Sequence, residues 1–159
     1  MQLAFLHGAR VFATVGSAEK LERVSSLGAF EVINHHTEDF VAEIKRLIDG
    51  RGVDIVVEHV GAATWPRAIR SLARGGRLVT CGATTGWEAT LDLRAVFAKQ
   101  LTIMGSYMGS KGELFRAARF FFTGQLKPVI DRTFPLAEAA AAQQRLEASG
   151  HFGKIVLEV

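Results

Sequence analysis

The 159-residue sequence has few cysteine, tyrosine and proline residues, and it has no long apolar run. A single cysteine, Cys81, excludes an internal disulfide framework and a cluster of cysteine zinc ligands. Because disulfides are rare in reducing compartments, this scarcity favours the cytoplasm. No apolar stretch approaches the roughly 18 residues of a membrane span, and His7 and Arg10 interrupt the first apolar stretch too early for a secretory signal. We therefore expect a cytoplasmic protein without a membrane segment.

The sequence also lacks a strong charge of one sign. The net charge is +3, and Lys and Arg are scattered among Asp and Glu. Without a basic stripe or an aromatic ladder, nucleic acid is not an expected partner. The hydrophobic fraction of 48% is instead that of a globular domain with a sizeable core.

Short apolar segments alternate with segments of helical periodicity along the chain. The predicted strands are Val11–Val15, Phe30–Ile33, Val53–Val57, Arg77–Cys81, Leu101–Gly105 and Lys154–Val159. Ser17 is predicted to cap the first intervening helix and Thr37 to open the second. This alternation predicts an α/β fold with a doubly wound parallel sheet and right-handed crossovers.

Small, polar and glycine-rich residues follow five of these strands. They are Gly16–Lys20, Asn34–His36, Glu58–Ala62, Cys81–Gly86 and Gly105–Gly109. In an open parallel sheet, ligands bind beyond the carboxyl ends of the strands, and small residues let a flat cofactor approach the backbone. The sequence therefore predicts a dinucleotide along this edge, with Cys81 as a buried small residue.

The first of these edges indicates which dinucleotide is preferred. An NAD site needs an acidic residue there for the ribose 2′-hydroxyl, whereas this chain has Gly16 and Ser17, with Lys20 one turn away. A 2′-phosphate would accept a hydrogen bond from Ser17 and pair with the Lys20 ammonium. This pattern favours NADP(H) over NAD(H); the alternative is that Ser17 is only a helix cap and Lys20 only a solvated lysine.

Several motifs in order give the chain a resemblance to a known family. They are GARVFATVGSAEK, GRGVDIVVEHVG, GGRLVTCGATTG, LTIMGSYMGS and HFGKIVLEV. Together they resemble the medium-chain dehydrogenase/reductase superfamily, and within it the zinc-binding-type alcohol dehydrogenases and NADPH:quinone reductases. The resemblance covers essentially the whole chain, and it implies a Rossmann-type sheet and hydride transfer between a nicotinamide and a quinone, enone, carbonyl or alcohol.

The resemblance also implies cofactor-binding roles for particular residues, with no catalytic residue and no zinc ligand among them. The adenosine 2′-phosphate side would be formed by Ser17, Lys20 and His35. The remainder of the dinucleotide would lie against Val60, Gly61, Gly82, Ala83, Gly105, Ser106 and Lys154.

The chain departs from the resemblance at its start. The first Rossmann strand and its glycine-rich loop are absent, and Met1–His7 resembles the end of the helix that follows that loop. We expect residues 1–128 to form a truncated dinucleotide-binding domain, and residues 129–159 to supply a helix and strand that would pack on an absent substrate domain. An incomplete sheet of this kind leaves two strands on one side of a gap and three or more on the other.

These departures leave three functional interpretations open. The chain is the cofactor-binding portion of an oxidoreductase, a non-catalytic module that pairs with a separate substrate domain, or an inactive fragment. Alone, it is expected to bind the cofactor poorly and to catalyse nothing. The resemblance also implies a homodimer through the edge strand Leu101–Gly105, while the substrate and the direction of hydride transfer stay undetermined.

Two other patterns are weaker. Tyr107 and Lys111 have the YxxxK spacing of short-chain dehydrogenases, but that chemistry needs a helix, and Gly109 and Gly112 predict a loop. The adjacent His35 and His36 have no further ligands at a metal-binding spacing. Neither a tyrosine-based active site nor a metal site is predicted.

Overall fold

A computed structural model describes all 159 residues of the chain. In chain order the elements are α1 (Gln2–Leu6), β1 (Phe12–Val15), α2 (Glu19–Ser25), β2 (Glu31–Asn34), α3 (Phe40–Leu47), β3 (Val53–Glu58), α4 (Trp65–Ser71), β4 (Leu72–Thr80), α5 (Leu93–Lys99), β5 (Thr102–Gly105), α6 (Lys111–Phe122), β6 (Ile130–Pro135), α7 (Ala139–Glu147) and β7 (Lys154–Glu158). No helix is both long enough and apolar enough to span a bilayer.

The chain divides into two compact units. One comprises Arg10–Gly109, and the other comprises Met1–Ala9 together with Ser110–Val159. The expected boundary between residues 128 and 129 falls inside the second unit. That residues 129–159 pack on a substrate domain stays a prediction.

The unit Arg10–Gly109 contains two parallel sheets. Strands β1 and β2 pair only with each other, and β3, β4 and β5 form a second sheet in that order. The predicted α/β class with an incomplete, parallel Rossmann-type sheet is confirmed. Two strands stand apart from three, as expected when a central strand is absent, and β1 and β3 each keep one unpaired edge.

Two apolar clusters hold these sheets to their helices. Ile33 of β2 packs with one face of α3, and Leu78 of β4, which is fully buried, packs with Ile69 of α4. Val53, at the start of β3, contacts both clusters. The two sheets are therefore joined through side-chain packing, although no hydrogen-bonded strand connects them.

The helix starts differ from two of the expectations. Ala18, without a side-chain cap, precedes α2, so Ser17 lies one residue outside the helix start and the predicted serine cap is wrong. The second helix begins at Phe40 behind Asp39, whose carboxylate accepts the Val41 N–H at 3.0 Å. Thr37 instead lies in a turn in which its N–H donates to the Asn34 carbonyl, because an aspartate two residues later offers the better cap.

The second unit contains a two-stranded parallel sheet of β6 and β7. Strand β6 was not predicted from the sequence, because its residues alternate weakly and only Phe134 is buried. The Asp131 carboxylate accepts two hydrogen bonds from Arg145 of α7 and one from the Phe152 N–H. These bonds fasten the helix and the following turn to the first strand of the sheet.

Candidate functional site

The carboxyl ends of β1 and β2 bring a glycine and two histidines together. The His35 N–H donates to the Val15 carbonyl at 3.0 Å, which holds the two strand ends level. A Cβ placed on Gly16 would lie 3.2 Å from His36 Nε2 and 3.6 Å from His35 Nε2. Both imidazoles therefore converge over the Gly16 backbone, and their ring centres are 4.5 Å apart. We call Gly16, Ser17, Lys20, His35 and His36 the histidine edge.

The His35 ring is the perturbed titratable group of the histidine edge. Burial lowers the pKa of its imidazole below the ordinary value, and the neighbouring positive charges of His36 and of Arg67 on α4 lower it further. An anion placed between these groups would have the opposite effect, since it favours the charged imidazolium. This edge is suited to binding a phosphate and to coupling that binding to a proton.

The turn after β2 is ordered by the side chain of its last residue. The Asn34 amide oxygen accepts the His36 N–H at 3.1 Å, and its backbone carbonyl accepts the Glu38 N–H at 2.9 Å. Asn34 is itself buried. The orientation of the two histidines is thus set from within the strand end.

The carboxyl ends of β3 and β4 carry two loops that interlock. The Thr85 N–H donates to the Val60 carbonyl at 2.7 Å, and the Thr85 hydroxyl both donates to that carbonyl and accepts the Ala63 N–H. Gly61 has a φ of +92°, and a Cβ on it would lie 2.7 Å from the Gly86 carbonyl oxygen. We call residues 58–64 and 82–86, held together in this way, the loop pair.

Glu58 lies beneath the loop pair and is only 4% exposed. Its carboxylate accepts hydrogen bonds from the backbone N–H groups of Val60 and Gly61 and from the Thr64 hydroxyl. Sequence reasoning did not assign this residue a role. The available signal is a charged residue that closes the apolar run VDIVV and stands three residues before a glycine.

The remaining predicted residues lie elsewhere. Gly105 ends β5 with open space around its Cα, and the Ser106 N–H donates to the Thr80 carbonyl at 2.8 Å. Lys154 is exposed at the start of β7, in the other unit. The structure therefore brings His35 over Gly16, the chain neighbour of Ser17, and places Lys20 in the first turn of α2. It brings Val60, Gly61, Gly82 and Ala83 together in the loop pair, while the roles of all ten residues stay predictions.

Cys81 corrects one expectation. It is exposed at the end of β4, with its Sγ 3.9 Å from the Glu58 carbonyl oxygen, and is not the buried small residue that the sequence predicted. The strand ends one residue earlier, at Thr80, so Cys81 already belongs to the surface turn. Tyr107 lies outside any helix, as predicted, but the loop predicted at Gly112 is wrong, because the capping box of Ser110 and Glu113 starts α6 at Lys111.

The histidines, cysteine and carboxylates do not assemble a metal centre. No group of three or more of these side chains lies close enough together to hold a metal ion. The two rings at the histidine edge fall short of the three protein ligands of a typical catalytic zinc. The residues present do not fit zinc.

Comparison with known proteins gives a family and several relatives. Residues 1–123 match the sequence profile of the zinc-binding dehydrogenases. A solved structure of an NAD-dependent alcohol dehydrogenase is 46% identical, with a TM-score of 0.91, and the alignment covers 99% of this chain and 46% of that one. The quinone oxidoreductase of Rattus norvegicus is 32% identical over 98% of this chain and 49% of its own length.

A third relative has been solved in complex with a cofactor. The structure of a crotonyl-CoA carboxylase/reductase in complex with NADP is 27% identical, with a TM-score of 0.92, over 99% of this chain and 45% of that one. The chain spans about half the length, or less, of the curated relatives it matches.

Proposed function

Since the chain belongs to the zinc-binding dehydrogenase family, within the medium-chain dehydrogenase/reductase superfamily, we propose that it is the NADP(H)-binding portion of an oxidoreductase. The whole protein would transfer hydride between the nicotinamide and a quinone, enone, carbonyl or alcohol. The relatives include quinone oxidoreductases and alcohol dehydrogenases, which supports this range of substrates. The nicotinamide supplies the hydride chemistry, and the residues of this chain bind and orient it.

The shape of the loop pair fits a dinucleotide. A Cβ added to Gly61 would lie 2.7 Å from a backbone atom of the other loop, and one added to Gly82 would lie 2.8 Å from such an atom. Both distances are too short for any side chain. The lack of side chains at these two glycines lets the two loops pack backbone to backbone, and small residues at a strand end let a flat cofactor approach closely. Val60, Gly61, Gly82 and Ala83 would border the cofactor here, with Gly105, Ser106 and Lys154 toward the nicotinamide.

The convergence of His35 and His36 over Gly16 is the observation that carries the preference for NADP(H). It places two imidazole rings over the Gly16 backbone, directly before Ser17 in the chain. Gly16 and Ser17 stand where an NAD site needs an acidic residue, and Lys20 follows three residues after Ser17. A 2′-phosphate there would meet hydrogen-bond donors and positive charge, whereas a ribose hydroxyl would lack its usual carboxylate partner. The relatives are described with NAD in one case and NADP in another, so this preference rests on the chain's own residues.

Three further properties belong to the same proposal. Strand β5 pairs with β4 on one edge only, and its other edge supports a homodimer through this strand. A substrate domain, in the same or a separate polypeptide, is supported by the coverage of only part of each relative. The single cysteine supports a cytoplasmic location.

Titration of the purified chain with NADPH and NADH tests the proposal, with the fluorescence of Trp65 and Trp87 as the readout. Trp87 directly follows the loop pair and is almost fully exposed, so an occupied site should change its emission. Because the chain alone is expected to bind the cofactor poorly, we expect weak but saturable binding of NADPH, at least tenfold tighter than that of NADH. Equal affinities would overturn the preference, and no binding of either would overturn the proposed function.

A further inference from the structure

Every hydrogen-bond donor that contacts the Glu58 carboxylate belongs to the loop that follows it. Oε1 accepts the Val60 N–H at 2.9 Å and the Thr64 hydroxyl at 2.6 Å, while Oε2 accepts the Gly61 N–H at 2.9 Å. A carboxylate can only accept hydrogen bonds, so three donors converging on one buried group form a closed network. Charged residues are seldom buried unless they are paired in this way.

The network determines where the candidate cofactor edge lies. Val60 and Gly61 are the residues whose N–H groups Glu58 holds, and the Val60 carbonyl, on the other side of the same peptide group as the Gly61 N–H, accepts two hydrogen bonds from Thr85. Gly61 is held at a φ of +92° with the Gly86 carbonyl immediately behind it. A change at Glu58 therefore passes through one peptide group into both loops of the pair.

We propose that Glu58 is a positioning residue that holds the loop pair in the shape that accepts a dinucleotide. This inference rests on the proposed cofactor-binding function and extends it to a residue that touches no ligand. The carboxylate is buried, and its oxygens are bonded inward to the loop, so it acts on the cofactor only through the backbone of Val60 and Gly61. Loss of the carboxylate frees three donors at once and loosens the loop, and loss of one of its two oxygens breaks part of the network.

Glu58→Gln is the direct test, because the amide keeps the size of the side chain. Its NH2 group donates where a carboxylate oxygen accepts, so this NH2 group and a donor of the loop would face each other without a hydrogen bond. We expect the affinities for NADPH and NADH to fall by the same factor, about tenfold, because the loop pair does not contact the 2′-phosphate. Amide hydrogen exchange at Val60 and Gly61 should accelerate by a similar factor, while that at Val41, bonded to Asp39, stays constant.

Thr64 provides a graded pair of variants that separates positioning from general destabilisation. Thr64→Ser keeps the hydroxyl donor and should retain wild-type affinity, whereas Thr64→Val keeps the shape, removes the donor and should weaken both dinucleotides less than Glu58→Gln does. Asp131→Asn is the matched control. It removes a charged, buried acceptor in the other unit and should lower the melting temperature without changing either affinity.

The outcomes distinguish this inference from the function on which it rests. If the wild-type chain binds dinucleotides and Glu58→Gln binds them with the same affinity, the role of Glu58 is overturned and the proposed function stays intact. An equal loss of affinity in Asp131→Asn would also overturn it, since the effect would then follow stability alone. If the wild-type chain binds neither dinucleotide, the proposed function fails, and the role of Glu58 fails with it.

Discussion

The histidine edge and the loop pair end neighbouring parts of the same fold, but they are built from different interactions. At the loop pair, backbone groups and threonine hydroxyls saturate one another around a buried carboxylate. At the histidine edge, two imidazole rings lie over a glycine, and one of them has a perturbed pKa. The first arrangement is fixed by its own bonds, whereas the second can change its charge. On the proposed function, we expect the loop pair to orient a dinucleotide and the histidine edge to select which one binds.

The largest expected effect comes from filling the space at the loop pair. Gly61→Ala places a Cβ 2.7 Å from the Gly86 carbonyl oxygen and 3.0 Å from the Ala83 Cα, at a φ that favours glycine. We expect the free energy of unfolding to fall by about 2–4 kcal/mol, measured by urea denaturation, and the binding of both dinucleotides to be lost.

Two matched glycine variants sharpen this result. Gly75→Ala has a similar φ of +72° but open space around it, so it should cost only about 1 kcal/mol. Gly16→Ala meets two side-chain rings, that of His36 closely and that of His35 at an ordinary contact distance, and no backbone atom, so it should change stability by less than about 1 kcal/mol. A loss at Gly61 no larger than that at Gly75 would show that the two loops do not interlock.

Removal of a positive charge from the histidine edge should have a smaller and selective effect. For Lys20→Gln we expect NADPH affinity to fall about tenfold, since a charge-assisted contact to the 2′-phosphate contributes about 1.4 kcal/mol or more. NADH affinity should change less than twofold. Isothermal titration calorimetry measures both constants, with Lys45→Gln on the exposed face of α3 as the control. Equal losses for the two cofactors would place Lys20 outside the selective part of the site.

The pH dependence of binding should separate the two regions further. Burial and the neighbouring charges of His36 and Arg67 lower the pKa of His35 in the free chain, whereas a bound 2′-phosphate favours protonation of the ring. NADPH affinity should therefore rise several-fold as the pH falls from 8 to 6, with uptake of a proton on binding. NADH affinity should change little.

His35→Asn tests the origin of this pH dependence. It removes the titrating ring and should flatten the NADPH profile toward that of NADH. Calorimetry in two buffers of different ionisation enthalpy measures the proton uptake directly. A profile that stays unchanged in the variant would assign the proton to another group.

The smallest effect on binding is expected outside both regions. The guanidinium of Arg145 holds the pKa of Asp131 well below its usual range. A carboxylate with a lowered pKa in the folded state stabilises the fold above its unfolded pKa of about 4, and this contribution is lost as the pH falls through the folded value. Asp131→Asn should therefore remove part of the acid-induced loss of stability, while leaving cofactor affinity unchanged at pH 7.

Thermal unfolding between pH 2 and pH 7 measures that contribution. Asp92→Asn is the control, because Asp92 also accepts from an arginine but is exposed. Identical pH profiles of the melting temperature for the wild type and Asp131→Asn would show that the ion pair does not contribute to the loss of stability at acidic pH.

The sequence predicted the strand ends better than the interactions between them. The apolar run VDIVV specifies β3, as is typical of a strand covered on both faces, and the residues after it identify the candidate edge. The expected burial is not met, because Ile55 and Val57, on one face of the strand, are exposed. The role of Glu58 could not be inferred, because its network depends on a loop that turns back over three residues onto the end of its own strand. The cap predicted at Ser17 is wrong because α2 begins at Glu19, behind Ala18, and cap propensity does not fix a helix start to within one residue.

The most direct test of the division between the two regions compares two adenosine nucleotides, 2′,5′-ADP, which carries the 2′-phosphate, and 5′-AMP, which lacks it. Amide chemical shifts of the labelled chain would be recorded with each ligand at equal concentration. The account predicts that 2′,5′-ADP perturbs Gly16, Ser17, Lys20 and His35 and that 5′-AMP leaves these four amides largely unchanged. Equal perturbations by both ligands, or perturbations confined to other strand ends, would contradict the assignment of the histidine edge as the selective site.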